Sequence, residues 1–245
     1  MYDRLGYWLA SFALVTLLLV GGCTSPDAAS QASDTSVQPT QARNSQMSNL
    51  PQLEGKATVV LTVKGSPITI EVDGTQAPIT AGNFVDLVNK GVYDGLVFHR
   101  VVRQPQPFVV QGGDPQSKDP NFRGQLGTGG YIDPSTGRER RIPLEITPEG
   151  ADSPIYSQTF KTAGIAQQSP ALPHRRGAVA MARSQAPDSA SSQFYITLAD
   201  LDFLNGDYAV FGYVTDGMSV VDTIEQGDRI DSAKVTEGLE NLKIN

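Results

Sequence analysis

Cysteine and histidine are scarce in this sequence. Its 245 residues include one cysteine and two histidines. An intrachain disulfide needs two cysteines, so none can form. A structural zinc site takes its ligands mainly from cysteine and histidine side chains, and the sequence offers too few of them. We therefore expect no disulfide and no metal centre.

An excess of positive charge is also absent. The sequence has 19 Lys and Arg residues against 26 Asp and Glu residues, which gives a formal net charge of −7. Binding to a nucleic-acid backbone requires clustered basic side chains. The densest basic run, Gly137–Arg141, is short and typical of a solvated turn. We therefore predict that nucleic acid is not a partner.

The common catalytic motifs are missing as well. There is no G-x-S-x-G elbow, Walker A lysine, H-E-x-x-H or C-x-x-C, and no triad spacing supports a hydrolase. The glycine-rich run Gly124–Gly130 lacks a following Lys-Ser/Thr, so it is more typical of a mobile loop beside a groove than of a phosphate cradle. His99 lies in an alternating strand and is interpreted as a hydrogen-bonded structural residue, and His174 as part of a loop or rim.

An apolar run near the N-terminus indicates a targeting segment. It extends from about Leu9 to Val20, which is short for a membrane span and long enough for a signal peptide. It ends in LVGGC, which resembles the lipobox of bacterial lipoproteins, and this resemblance implies cleavage before Cys23 and lipidation of Cys23. An uncleaved anchor helix is the alternative. We predict a signal peptide over residues 1–22 and an extracytoplasmic protein anchored to a membrane through Cys23.

The segment after Cys23 is composed differently from the rest. Up to about residue 54 it consists largely of Ser, Gln, Ala, Thr and Pro, with almost no large apolar residue. Such a segment buries too little surface to offset the entropy lost on ordering. We predict a lipid-anchored cysteine and disordered tether over residues 23–54 and one domain over residues 55–245.

Alternating apolar residues dominate the predicted domain. They predict a hairpin over 57–74 around a Gly-Ser-Pro turn, and further strands over 97–102, 108–113, 140–147, 177–183, 191–198, 208–214 and 233–244. Helical periodicity predicts one early helix over 77–91, capped by Gly91, and one late helix over 217–227. This order argues against repeated βαβ units and favours a closed antiparallel barrel with helices over its openings.

Two of these strands carry polar side chains in apolar surroundings, namely Arg100 in FHRVV and Gln111 in FVVQGGD. The pair of segments closely resembles the signature of the cyclophilins. Further segments match that family in order: GTGG at 127–130, RGAVAMAR at 176–183, SSQFYI at 191–196 and FLNGDYAVFGYV at 203–214. The resemblance extends from about Lys56 to the C-terminus. It implies a mainly β fold, a closed eight-stranded antiparallel barrel capped by two α-helices.

The resemblance implies a peptidyl-prolyl cis–trans isomerase that needs no cofactor. Its expected substrates are proline-containing polypeptide clients that fold outside the cytoplasm, and a monomer is expected. A proline-peptide binding module or assembly scaffold with little turnover is the alternative.

The resemblance also assigns roles to individual residues. Arg100 is expected to be the catalytic guanidinium, and Gln111 to orient it and to bind the substrate backbone. The residues expected around the substrate proline are Phe108, Val109, Tyr195 and Leu204, with Phe203 flanking them and Tyr208 at the rim. The residues expected along the adjoining groove are Gly127, Ala182, Arg183, Ser184 and Gln193.

Some of these positions depart from the common family pattern. Val109 replaces a methionine, Tyr195 a phenylalanine, Phe203 a tryptophan and Tyr208 a histidine. The hydroxyl of Tyr195 needs a hydrogen-bond partner if it is buried. Phe203 lacks the indole N–H that holds cyclosporin in many members, so we expect weak inhibition by that drug. Longer connections over 103–107 and 150–171 leave the substrate preference open.

Overall fold

The computed structural model describes residues 47–244. The main sheet contains β2 (Lys56–Val63), β3 (Ser66–Asp73), β4 (Arg100–Val101), β5 (Val109–Gly112), β10 (Ala178–Met181), β11 (Phe194–Thr197), β12 (Val210–Asp216) and β13 (Ile230–Glu237). Small ladders pair β1 (Gln52–Leu53) with β14 (Leu242–Lys243), β6 (Ile132–Asp133) with β7 (Arg138–Glu139), and β8 (Glu145–Ile146) with β9 (Ile155–Tyr156). The α-helices that lie wholly within the described residues are α1 (Pro78–Asn89) and α2 (Met218–Val221), and 3₁₀ turns span Pro115–Lys118, Pro187–Ser189, Asp202–Leu204 and Leu239–Asn241.

The main sheet is an open half-barrel. Its eight strands lie in the order β13-β2-β3-β12-β10-β11-β5-β4 and pair antiparallel. Beside the edge strands a bridge joins Val97 to Arg229 and backbone hydrogen bonds link residues 95–98 to residues 227–230, but no ladder continues from there along β4 among the described residues. The prediction of a closed barrel is therefore wrong, because the two-residue strand β4 is too short to pair along the eight-residue strand β13. The mainly β class, the eight antiparallel strands and the two helices are confirmed.

The first hairpin shows how the sequence pattern produces the sheet. Lys64 and Gly65 have φ values of 50° and 74°, as a two-residue type I′ turn requires. Ser66, which the sequence analysis assigned to the turn, instead pairs with Val63 as the first residue of β3. Alternate residues of β2, such as Val59 and Leu61, are fully buried in the main core, because successive side chains of a strand point to opposite faces.

Helix α1 packs Phe84 and Leu87 into the main core. Its N-cap residue, Ala77, has no side chain that could accept a hydrogen bond from the first turn. Glu145, distant in sequence, takes this role, since its two carboxylate oxygens accept from the backbone N–H groups of Ile79 at 3.1 Å and Thr80 at 2.7 Å. The helix is followed by Gly91, whose φ of 65° and hydrogen bond to the carbonyl of Val88 confirm the predicted cap.

Replacing Glu145 by glutamine is expected to lower the free energy of unfolding by about 1–2 kcal/mol, because the new amide nitrogen cannot accept from a backbone N–H. Urea denaturation followed by circular dichroism measures the change. The matched control is Glu149→Gln in the same loop, where the side chain is exposed and a change within about 0.5 kcal/mol is expected. Equal stability of the two variants would show that Glu145 does not cap α1.

Ordered structure starts earlier than the predicted end of the tether at residue 54. Gln52 and Leu53 pair with β14, and Leu53 is fully buried in the main core. The boundary was misplaced because these few apolar residues pack against the far end of the chain, which no local periodicity reveals. The predicted signal peptide, Cys23 and the tether up to residue 46 lie outside the described residues. Between residues 47 and 244, no helix is long and apolar enough to cross a membrane.

The long connection over 150–171 forms a small core of its own. Phe160 packs there with Leu144, Ile146 and Ala209. The backbone N–H of Phe160 donates to the carbonyl of Gly206 at 2.9 Å, and a Cβ on Gly206 would lie 2.8 Å from the side chain of Phe160. The 150–171 connection therefore packs against the turn over residues 203–208 at Gly206. The predicted strand over 140–147 is reduced to β8, because of its other residues Ile142 alone forms a bridge, to Ala190.

Candidate active site

Arg100 and Gln111 are direct cross-strand partners in the β4–β5 ladder. The Nη1 group of Arg100 donates to Oε1 of Gln111 at 3.2 Å, and the guanidinium carbon lies 5.3 Å from the ring centroid of Phe108. Gln111 in turn donates through Nε2 to Oε1 of Gln193 at 3.1 Å, and Gln193 donates to the carbonyl of Gly129 at 2.7 Å. The guanidinium is thus held on one side while the residue stays exposed to solvent.

An apolar cluster lies beside Arg100, on the sheet face opposite the main core. Its buried members are Val109, Ala178, Ala180, Tyr195, Leu201 and Val210, and its partly buried members include Phe108, Ala182, Leu204 and Tyr208. The exposed fractions of Val109 and Tyr195 are 2% and 5%, so these two residues form a floor. Phe108 and Leu204 are half-buried and form walls. The structure therefore brings together all four residues that were predicted to surround a substrate proline; we call this cluster the apolar seat.

Aromatic side chains from the turn over 203–208 form the rim of the apolar seat. The ring of Phe203 is stacked on that of Phe108, with centroids 6.0 Å apart and planes inclined by 14°. Phe203 is nevertheless 70% exposed. Tyr208 meets Tyr195 edge-on, at a centroid distance of 6.1 Å. A large aromatic side chain exposed at the edge of an apolar surface is typical of a binding site.

A cavity of about 480 Å³ adjoins the rim and is lined by Arg183, Ser184, Gln185, Asp207 and Tyr208. Nε and Nη2 of Arg183 both donate to the carbonyl of Asp207, at 2.9 and 2.7 Å, and Nη1 donates to the carbonyl of Ser184 at 2.8 Å. Its guanidinium carbon lies 4.7 Å from the ring centroid of Tyr208. Arg183 therefore joins the two walls of this cavity. A larger cavity, of about 1030 Å³, lies elsewhere, between residues 47–51 and 131–143.

Of the predicted groove residues, Ala182 packs against the apolar seat, whereas Gly127 does not. Ala182 continues the β10–β11 pairing, since its N–H donates to the carbonyl of Gln193 at 2.9 Å. Gly127 contacts His99 and Asp114 rather than the apolar seat. Its N–H donates to the Asp114 carboxylate at 2.6 Å, and its φ of 93° is one that glycine adopts readily. The buried Asp114 thereby fixes the glycine-rich loop.

His99 has no hydrogen-bond partner on either ring nitrogen among the described residues, although both nitrogens are shielded from solvent. The interpretation of His99 as a hydrogen-bonded residue is therefore wrong. Its ring lies under Gly127, where an added Cβ would come within 3.3 Å of it. Burial lowers the pKa of His99, with Asp114 acting against this effect and Arg100 adding to it.

His174 is fully buried, so its assignment to a loop or rim is also wrong. Its Nε2 lies 2.9 Å from the hydroxyl of Tyr195, and its Nδ1 lies 3.0 Å from Oδ1 of Asn205. Burial lowers the pKa of His174 to about 4 and raises the pKa of Tyr195, so both side chains are neutral at pH 7. The sequence held a signal for this pair, because a tyrosine at a pocket position needs a partner for its hydroxyl.

Comparison with known protein families gives one match over most of the chain. The family model described as cyclophilin type peptidyl-prolyl cis-trans isomerase/CLD matches residues 58–244. This range includes every described strand of the main sheet except the first two residues of β2.

Curated relatives are named as members of the same family. A Synechocystis protein, named as a peptidyl-prolyl cis-trans isomerase of the thylakoid lumen, is 44% identical over 80% of this chain and 51% of its own length. A chloroplastic peptidyl-prolyl cis-trans isomerase of Arabidopsis thaliana is 39% identical over 79% of this chain and 45% of its own. The chain thus spans about half the length of these two relatives. Peptidyl-prolyl cis-trans isomerase A of Dickeya dadantii is 32% identical over 69% of this chain and 70% of its own.

Solved structures show a similar architecture. A crystal structure of a cyclophilin type peptidyl-prolyl cis-trans isomerase from Cryptosporidium parvum aligns with a TM-score of 0.55 and 25% identity. The alignment covers 74% of this chain and 98% of that one.

Proposed function

Because the chain belongs to the family of cyclophilin-type peptidyl-prolyl cis–trans isomerases, we propose that it accelerates rotation about X-Pro bonds in proline-containing polypeptides that fold outside the cytoplasm. The single observation that carries this proposal is the position of Arg100, which is held by Gln111 beside the apolar seat and over the ring of Phe108. A prolyl ring in the apolar seat would bring its amide bond next to the guanidinium.

The reaction suits these residues because it breaks no covalent bond. Amide resonance sets a barrier of about 18–20 kcal/mol to rotation, and uncatalysed exchange takes tens to hundreds of seconds. Conjugation is lost in the twisted amide, so the prolyl nitrogen regains a lone pair that an N–H of Arg100 can approach. Interactions that strengthen in this transition state accelerate the reaction, whereas equal binding of both planar forms does not.

The remaining residues have supporting roles in this proposal. The apolar seat holds the pyrrolidine ring, and Gln111 and Gln193 present amide groups to the substrate backbone. Exchange within milliseconds requires an acceleration of about 10⁴–10⁵, or roughly 5.5–7 kcal/mol. A preorganised charge and a fixed substrate orientation are together sufficient for this, since each alone is worth several kcal/mol in enzymes.

An exchange assay on an X-Pro tetrapeptide with the full chain tests the proposal. The relaxation rate is expected to rise in proportion to protein concentration, above the uncatalysed rate. Titration of a labelled proline peptide by NMR distinguishes the alternative. Chemical-shift changes without faster exchange would identify a binding module or scaffold with little turnover, and the enzyme proposal would then fail.

We also propose that the protein works on the extracytoplasmic side of a membrane, anchored by a lipid on Cys23. The LVGGC segment supports the anchor, and relatives named for the thylakoid lumen and the chloroplast support a location outside the cytoplasm. Mass spectrometry of the mature N-terminus tests the anchor. A diacylglyceryl cysteine as the first residue is expected; an intact residue 1 in the membrane fraction would contradict the proposal.

Weak inhibition by cyclosporin is expected, because Phe203 offers no N–H donor at the exposed rim of the apolar seat. Phe203→Trp restores that donor and is expected to lower the inhibition constant about tenfold, the typical worth of one added hydrogen bond. Inhibition of the exchange assay measures both proteins. A nanomolar inhibition constant for the wild type would contradict the expectation.

A further inference from the structure

His174 connects the floor of the apolar seat to one of its walls. The floor residue Tyr195 lies on β11, with its hydroxyl 2.9 Å from Nε2 of His174. On the other side of the ring, Oδ1 of Asn205 accepts from Nδ1 at 3.0 Å and from the backbone N–H of His174 at 2.8 Å. The carbonyl of His174 accepts from the N–H of Leu201 at 2.7 Å. Leu201 and Asn205 flank the 3₁₀ turn 202–204, which carries the rim residue Phe203 and the wall residue Leu204.

The hydrogen bonds of this network donate in sequence from Tyr195 to His174, from His174 to Asn205 and from Asn205 to Asp202. Nδ2 of Asn205 donates to the carboxylate of Asp202 at 3.2 Å, which fixes the orientation of the Asn205 amide and makes Oδ1 an acceptor. Nδ1 of His174 must therefore carry the imidazole proton, and Nε2 presents a lone pair. Tyr195 is then the donor to Nε2. The lowered pKa of His174 and the raised pKa of Tyr195 agree with these neutral forms.

The side chain of His174 joins Tyr195 to the 3₁₀ turn through its two ring nitrogens. Tyr195 belongs to a rigid central strand, whereas residues 202–204 form a single short turn at the protein surface. The His174 ring packs parallel to the ring of Tyr195, with centroids 6.1 Å apart and planes inclined by 17°. His174 is fully buried, so it acts on a ligand only through these neighbours.

We infer that His174 is a positioning residue of the proposed isomerase site, which sets the separation between the floor at Tyr195 and the 3₁₀ turn that carries Phe203 and Leu204. A prolyl ring is held between these two surfaces. The inference rests on the proposed function, because it assigns the apolar seat to proline. The inference concerns how tightly the prolyl ring binds, which affects KM. Stabilisation of the twisted amide by Arg100 instead affects kcat.

Kinetics of His174→Leu in the full chain test the inference. The variant leaves the Tyr195 hydroxyl without an acceptor and removes the side-chain hydrogen bond to Asn205, while the backbone hydrogen bonds of residue 174 to Leu201 and Asn205 remain. KM for an X-Pro tetrapeptide, and the dissociation constant of the same peptide measured by NMR, are expected to rise about tenfold, while kcat changes less than about twofold. His174→Gln can present an oxygen near the position of Nε2, so it is expected to recover part of the loss.

A double variant provides a stricter test. Tyr195→Phe removes the hydroxyl that His174→Leu leaves unpaired, so His174→Leu with Tyr195→Phe is expected to lose less affinity than the two single changes added together. Val59→Ala, in the main core on the other face of the sheet, serves as the control for lost stability. It is expected to lower the melting temperature without changing KM.

The possible outcomes separate the inference from the proposed function. If the wild type is active and His174→Leu lowers only the melting temperature, as Val59→Ala does, His174 is merely structural and the inference is overturned while the function stands. If the wild type neither accelerates exchange nor binds the peptide, the proposed function fails and the inference fails with it. A rise in KM and dissociation constant, partly recovered by glutamine, supports the inference.

Discussion

Replacing Arg100 by alanine is expected to lower kcat/KM for an X-Pro peptide by about 10²–10³-fold, the usual effect of removing one transition-state donor. The loss is expected mainly in kcat, because the lone pair on the prolyl nitrogen develops only as the amide twists. The side chain is exposed and its described polar partner is Gln111, so folding is expected to be retained. The exchange assay, with a melting curve for each protein, measures both effects.

Two further variants define the chemistry at this position. Arg100→Lys keeps the charge but loses the planar fork of N–H groups, so it is expected to recover only part of the activity. Arg138→Ala removes an exposed arginine from the separate β6–β7 hairpin and is expected to leave the rate unchanged. Equal exchange rates for the wild type and Arg100→Ala would end the catalytic assignment of Arg100.

Acidification from pH 6.5 to pH 4 is expected to reduce the free energy of unfolding by about 3 kcal/mol through His174 alone. Burial lowers the pKa of His174 from its ordinary value of 6.5 to about 4 in the folded protein. Between these values the unfolded chain binds a proton that the folded chain does not, so acid favours unfolding. Above pH 6.5 both states are neutral and the contribution is absent.

Urea denaturation at pH values from 4 to 7 measures this effect as a difference between the wild type and His174→Leu. The curve of the variant is expected to be flatter by about 3 kcal/mol over this range. His99 and Glu145 also titrate with shifted pKa values, but they remain in both proteins and cancel in the difference. Asp133 and Asp228 have pKa values lowered from 3.8, so they lose their contributions at lower pH. Parallel curves would show that His174 is not buried as a neutral side chain.

The features that the sequence predicted well are those with a local signal. The alternation in β2 and β3 determines which side chains are buried, and the turn between the two strands involves only neighbouring residues. Arg100 and Gln111 stood out because both interrupt apolar strands that are close in sequence, whereas their pairing was implied by the family resemblance. The adjacency of Phe108, Val109, Tyr195 and Leu204 came from the family resemblance rather than from any pattern in the strands themselves.

The features that the sequence predicted poorly depend on contacts between distant segments. Leu53 is buried because it meets the C-terminal strand, and Glu145 caps a helix that begins more than sixty residues earlier. His174 precedes two arginines, which suggested an exposed loop, yet the imidazole satisfies a hydroxyl on another strand. The open edge of the sheet follows from the shortness of β4, which the apolar run around it concealed.

Strands β5 and β11 serve two surfaces at once. Val110 and Phe194 belong to the main core, while their neighbours Val109 and Tyr195 belong to the apolar seat. Substitutions at the second pair can therefore alter the apolar seat while the first pair keeps the main core intact. Single substitutions at Val109 or Tyr195 can thus reshape the exposed apolar surface without touching the core on the other face of the same strands.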